Sequence, residues 1–176
     1  MKKFLILMIS VGILSCANNK TEQVSTIKIK DEKAQKISKM MESYVNNNFD
    51  SSIISEDAKI KFNQLEMTKT DFENLVTTHH AMFNEISFPE GWMETVNYIG
   101  ADVKNAGGKY ADDYGSTWTS HWSDWTAVSK ISGDTISNHC FFGYKWENDK
   151  IVEVSAIFPD EAFNKELAMF MEANKK

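Results

Sequence analysis

The sequence predicts an α+β domain, and three observations carry the prediction. Three runs of alternating residues, 116–131, 136–146 and 151–158, are rich in β-branched and aromatic side chains. They are punctuated by Gly133–Asp134 and Asn148–Asp149, the residue types that turn antiparallel strands into a meander. Ahead of them lie two segments with apolar residues at three- and four-residue spacing, and behind them lies a third, as in amphipathic helices.

The chain begins with a segment outside this pattern. Lys2 and Lys3 form a positive start, and residues 4–14 are an apolar run too short to cross a bilayer. Ser15 then precedes Cys16, so residues 1–15 read as a signal peptide. Ile13, Leu14, Ser15 and Cys16 resemble the lipobox of bacterial lipoproteins, which implies acyl chains on Cys16 and a lipid-anchored protein of the bacterial cell envelope, joined to the membrane through that anchor alone. The alternative is an ordinary signal peptide that happens to contain a cysteine. Residues 16–30 are polar and aperiodic and read as a flexible tether. Residues 31–176 suit one domain with one core.

Loss of Lys2 and Lys3 takes the formal charge from −6 to −8. An acidic surface argues against nucleic acid as a partner. There is no Arg, so bidentate clamps for phosphate or carboxylate are unavailable. Cys140 is the only thiol besides Cys16 and falls mid-strand, where a buried, inert cysteine is expected.

Residues 31–48 carry Ile37, Met40, Met41, Tyr44 and Val45 on one helical face. Residues 52–56 read as a connector or short helical turn, and residues 58–63 as a short strand. A second helix is expected over 70–86, with Thr70 and Glu73 as its capping box and His79 within its apolar stripe. His80 lies at the edge of that stripe. Pro89, Glu90 and Gly91 turn the chain into a strand over 92–103, and residues 105–115 form a surface loop. Residues 160–174 close the chain as a helix.

Two-residue hairpins at both turns fix a register. Trp146 then faces Ile151, Tyr144 faces Glu153, and Val128 pairs with His139. One sheet face carries Trp118, Trp122, Asp124, Thr126, Val128, His139, Phe141, Val152, Val154, Ala156 and Phe158. The other carries His121, Trp125, Cys140, Phe142, Tyr144, Trp146, Ile151 and Ile157. Both are too apolar for open solvent.

The order of helix, short strand, helix with His79–His80, and meander, together with the closing run WENDKIVEVSAIFPDEAFNKEL, resembles the nuclear transport factor 2-like (NTF2-like) superfamily, in particular its SnoaL-like branch. The resemblance implies a cone-shaped fold, a curved sheet wrapped on helices, a pocket between them, and commonly a homodimer. Aligning the last strand with that family turns Val152, Val154, Ala156 and Phe158 inward. Trp118, Trp122, Asp124, His139 and Phe141 then follow. Trp125, Phe142, Tyr144 and Trp146 turn outward as the expected homodimer interface.

Two functions fit that cone. In the first it binds a small hydrophobic molecule without turnover, through Trp118, Trp122, Phe141, His80 and Phe158. In the second it is a general acid–base enzyme of isomerase, cyclase or dehydratase type, with Asp124 as base and His139 or His79 as acid or orienter. The histidine spacing matches no zinc signature, so neither metal nor cofactor is expected.

Overall fold

The computed structural model describes residues 24–89, 91–108 and 112–175. The signal-peptide and Cys16 readings lie outside them. An eight-stranded sheet forms the frame. Its path is β1 (Thr26–Ile29), β5 (Gly91–Asn97), β6 (Thr117–Ser129), β7 (Thr135–Glu147), β8 (Lys150–Ile157), β2 (Ile54–Phe62) and β3 (Leu65–Met67). The remaining strand, β4 (Phe83–Ser87), pairs with the second half of β6, beyond the reach of β5. All pairings are antiparallel except β2 with β8.

Helices α1 (Glu32–Val45), α2 (Lys69–Met82) and α4 (Glu161–Ala173) bury their apolar stripes against one face of the sheet, while the short α3 (Ala101–Asn105) follows β5. Asp31 caps α1, its carboxylate accepting from the Ala34 amide at 2.9 Å. Glu166 of α4 is buried, and its carboxylate accepts from Ser129 Oγ at 2.5 Å and Ser132 Oγ at 3.0 Å, which seats the last helix on the β6–β7 loop.

Several expectations change. Part of the stretch read as a tether forms β1, which pairs with the edge of β5. The connector over 52–56 is the start of β2, whose register shifts after Ile54. The capping box of α2 sits two residues earlier than expected: Thr68 Oγ1 accepts from the Asp71 amide at 3.1 Å, and the Thr68 amide donates to Asp71 Oδ2 at 3.0 Å. Helix α2 also ends at Met82, because Phe83 and Ile86 leave the helical stripe to join the sheet.

The β7–β8 turn is a two-residue hairpin, with Asn148 and Asp149 both at positive φ (47° and 64°). The β6–β7 turn is longer and shifts the pairs by four, so Asp124 faces His139 and Val128 faces Thr135. A shift of four keeps every side chain on its expected face.

One further irregularity does not. Trp146 pairs with Ile151, but Lys145 pairs with Glu153, so Val152 is an extra residue in β8. Beyond this bulge Tyr144 faces Val154 and Phe142 faces Ala156. A bulge of one residue reverses the side-chain parity between two strands. The inward-facing half of β8 therefore travels with the face opposite to the one expected. Trp125, Phe142, Tyr144 and Trp146 point into the domain. Trp118, Trp122, Asp124, His139 and Phe141 line the outer face.

Candidate functional site

The inner face and the helices enclose a cavity of about 200 Å³. Its wall is aromatic from four directions. Tyr44 comes from α1, Phe72 and His79 from α2, Trp125, Phe142 and Tyr144 from the sheet, and Phe158 and Phe163 from the chain's last turn and helix. The rings meet mostly edge to face: Phe62 on Phe72 with centroids at 5.3 Å, His79 on Phe163 at 5.1 Å, and Phe83 on Trp125 at 5.3 Å. Leu65, Asn63, Asp160 and Asn164 also line it, and there Asn63 is fixed by bonds to both the Phe158 carbonyl and the Phe158 amide. Asp160, an exposed residue, is the one carboxylate in this lining among the described residues, and no lysine lines it.

Three polar groups in this apolar wall form one directed chain. The Trp125 indole Nε1–H donates to the Tyr44 hydroxyl at 2.9 Å, and that hydroxyl meets His79 Nδ1 at 2.8 Å. An indole nitrogen is only ever a donor, so Tyr44 Oη is the acceptor in the first bond. Burial holds the His79 imidazole well below its ordinary range, to about 4, with the neighbouring His80 adding to the effect, so the ring is neutral near pH 7. Burial also raises the Tyr44 hydroxyl to values where it never ionises. Three neutral groups thus share two hydrogen bonds in an apolar surround.

Tyr144 stands nearby, stacked on Phe142, and among the described residues its hydroxyl has only Met41 Sδ, at 4.0 Å, as a partner. Cys140 is buried and gives its thiol hydrogen to the Ser123 carbonyl at 3.0 Å. Burial pushes that thiol up to about 12, so it is no nucleophile.

The expected site residues are divided by the sheet. His79 and Phe158 line the cavity. His80, expected as a ligand contact, instead meets the Tyr44 backbone carbonyl through Nε2 at 2.6 Å and ties the end of α1 to α2. Asp124 and His139 do come together, with Oδ1 and Nδ1 2.6 Å apart, but as an exposed pair on the outer face. Trp122 is 47% exposed there and packs on Phe141 at 4.5 Å, and Lys145 lies over the Trp118 ring. These five side chains were placed inward by a register without the Val152 bulge, and that placement is corrected. So is the outward placement of Trp125, Phe142, Tyr144 and Trp146: the first and the last two are buried in the chain's own interior, and Phe142 is partly buried against the same core.

The helical half of the relay was the part sequence reasoning missed. Tyr44 was assigned only to an apolar stripe. A signal did exist: tyrosine, rather than phenylalanine, on the buried face of α1 requires a partner for its hydroxyl, and His79 was the one polar residue in the opposing stripe.

No protein-family profile and no curated protein sequence matches the chain. Solved structures do match in shape. A candidate polyketide cyclase from Xanthomonas campestris superposes with a TM-score of 0.54 at 10% identity, over 78% of this chain and 96% of that one. An NTF2-like protein of unknown function from Burkholderia pseudomallei gives 0.52 at 10% identity, over 77% and 96%. A candidate SnoaL-like polyketide cyclase from Shewanella denitrificans gives 0.52 at 6% identity, again over 77% and 96%. With helices packed on one face of a bent sheet around an aromatic cavity, the chain has the fold shared by the SnoaL-like and NTF2-like proteins.

Proposed function

We propose that this domain binds a small hydrophobic molecule in its cone, without turnover, while Cys16 anchors it by lipid to a membrane of the cell envelope. One observation carries the binding reading: a cavity of about 200 Å³ is walled almost wholly by aromatic and aliphatic side chains. An apolar molecule in such a space gains dispersion contacts with its lining and leaves water. The acid–base alternative loses its base, because Asp124 is on the far side of the sheet from the cavity. The anchor reading is supported by Lys2, Lys3, the apolar run and the Ser15–Cys16 pair.

Native mass spectrometry of the protein purified from its own host tests the binding reading. The expected result is a retained mass of a few hundred daltons, lost on denaturation. Bare protein that also fails to take up benzophenone or diphenylmethane would contradict it. For the anchor, Cys16→Ala is expected to release the protein from the membrane fraction.

A further inference from the structure

The cavity's hydrogen-bond relay has a direction, and that direction limits what the cavity accepts. We infer that the ligand is an uncharged apolar molecule bearing a hydrogen-bond acceptor of carbonyl type, which takes the Nε2–H of His79. The inference rests on the binding reading above and deepens it.

Trp125 sets the direction of the relay. Its Nε1–H has one partner, the Tyr44 oxygen at 2.9 Å. The Tyr44 proton in turn has one acceptor within reach among the described residues, His79 Nδ1 at 2.8 Å. Were Nδ1 to carry the ring proton, it and the indole would both point donors at the same oxygen. The phenolic proton would then be left buried without a partner, a costly outcome in an apolar wall. The lower-energy arrangement puts Trp125 as donor to Tyr44, Tyr44 as donor to His79 Nδ1, and the single imidazole proton on Nε2. His79 lines the cavity, and its Nε2 has no hydrogen-bond partner among the described residues. The relay thus presents a fixed N–H donor to whatever fills the space.

A second donor of the same kind faces the same cavity. Among the described residues the Tyr144 hydroxyl has only a thioether at 4.0 Å, a weak acceptor, and burial keeps it protonated. The relay makes His79 a positioned donor in the wall, and Tyr144 adds another. With no lysine among the lining residues and the carboxylate of Asp160 as the one charge, nothing would offset the desolvation of an anionic ligand. A neutral acceptor satisfies the donors at no such cost.

Three probes of similar shape separate the possibilities in the full-length protein: benzophenone, diphenylmethane and diphenylacetate, titrated by calorimetry. The expected order is benzophenone over diphenylmethane by roughly fivefold to tenfold, the yield of one well-made hydrogen bond, with no detectable binding of diphenylacetate. In His79→Phe the ratio of ketone to hydrocarbon affinity, read within the same variant, falls to what the Tyr144 hydroxyl alone can supply; a ratio equal to the wild type's would overturn the assignment of the donor to His79. Equal binding of ketone and hydrocarbon to the wild type would overturn this inference and leave the cavity reading standing. Failure of both to bind would overturn both. Diphenylacetate binding as well as the ketone would overturn the claim of an uncharged ligand. A further measurement needs no variant: nitrogen NMR of the labelled imidazoles is expected to show His79 protonated on Nε2 and bare on Nδ1. The opposite tautomer would overturn the inference.

Discussion

Two hydrogen-bond chains in this protein begin on an indole of the sheet, and they differ in where they end. In the first, Trp146 Nε1 donates to Thr119 Oγ1 at 2.9 Å, Thr119 meets Thr95 at 2.9 Å, and Thr95 donates to Asp31 Oδ1 at 2.8 Å. In the second, Trp125 donates to Tyr44, and Tyr44 to His79. The first terminates on a carboxylate that also caps α1, so every proton has a home and the chain is closed. The second terminates on a neutral imidazole that lines a cavity and whose far nitrogen has no hydrogen-bond partner among the described residues. A closed chain holds a structure together. An open one leaves a donor for something else.

The largest expected effect breaks the closed chain. Thr119→Val keeps the shape but strands the buried Trp146 indole and removes the bond to Thr95, which keeps only its bond to Asp31. It is expected to cost about 2–4 kcal/mol of stability by urea unfolding, from about 1–3 kcal/mol for the stranded indole and about 0.5–1.5 kcal/mol for the lost Thr119–Thr95 bond. Diphenylmethane binding should be unchanged. Tyr44→Phe cuts the open chain and strands the Trp125 indole, at a cost of about 1–3 kcal/mol. Unlike Thr119→Val, it should also weaken the preference for a ketone. If both substitutions moved ligand preference equally, the distinction between the chains would fail.

A pH titration sharpens the comparison further. Burial holds His79 and His121 at about 4, below the ordinary 6.5 that each regains on unfolding. Between those values the unfolded chain binds more protons than the folded one. Stability is therefore full above about pH 6.5 and falls with acid, by up to about 1.4 kcal/mol per pH unit for each histidine. In His79→Phe about half of that slope should remain, carried by His121. The smallest effect is expected on the outer face: Asp124→Asn removes an exposed pair and should change stability by less than about 0.5 kcal/mol, with cavity binding untouched.

How far the sequence exposed all this varies by level. The meander, the three long helices and the Asn148–Asp149 hairpin were legible because period and turn chemistry are local. Which face looks inward was not legible, because it hinges on Val152. An extra residue in β8 opposite Lys145 and Trp146 leaves no mark on the alternation of either strand, and a bulge is visible only once both strands are paired. Strand β4 was hidden for a related reason: Phe83 and Ile86 fit a helical stripe as well as a strand, and only pairing with β6 decides between them. His79 was legible as an odd polar residue on an apolar face. Its role as the end of a relay depends on Tyr44, thirty-five positions away.

The central claim is that the inner face, around His79 and Tyr144, is where a small apolar molecule sits. Benzophenone inserts into nearby C–H bonds on irradiation, so photolabelling followed by peptide mass spectrometry reads its position. Labels on Met41, Leu75, Val76 or Phe158 are the result this account predicts. Labels confined to Trp92, Trp122 or Ile157, the exposed apolar side chains of the opposite face, would contradict it.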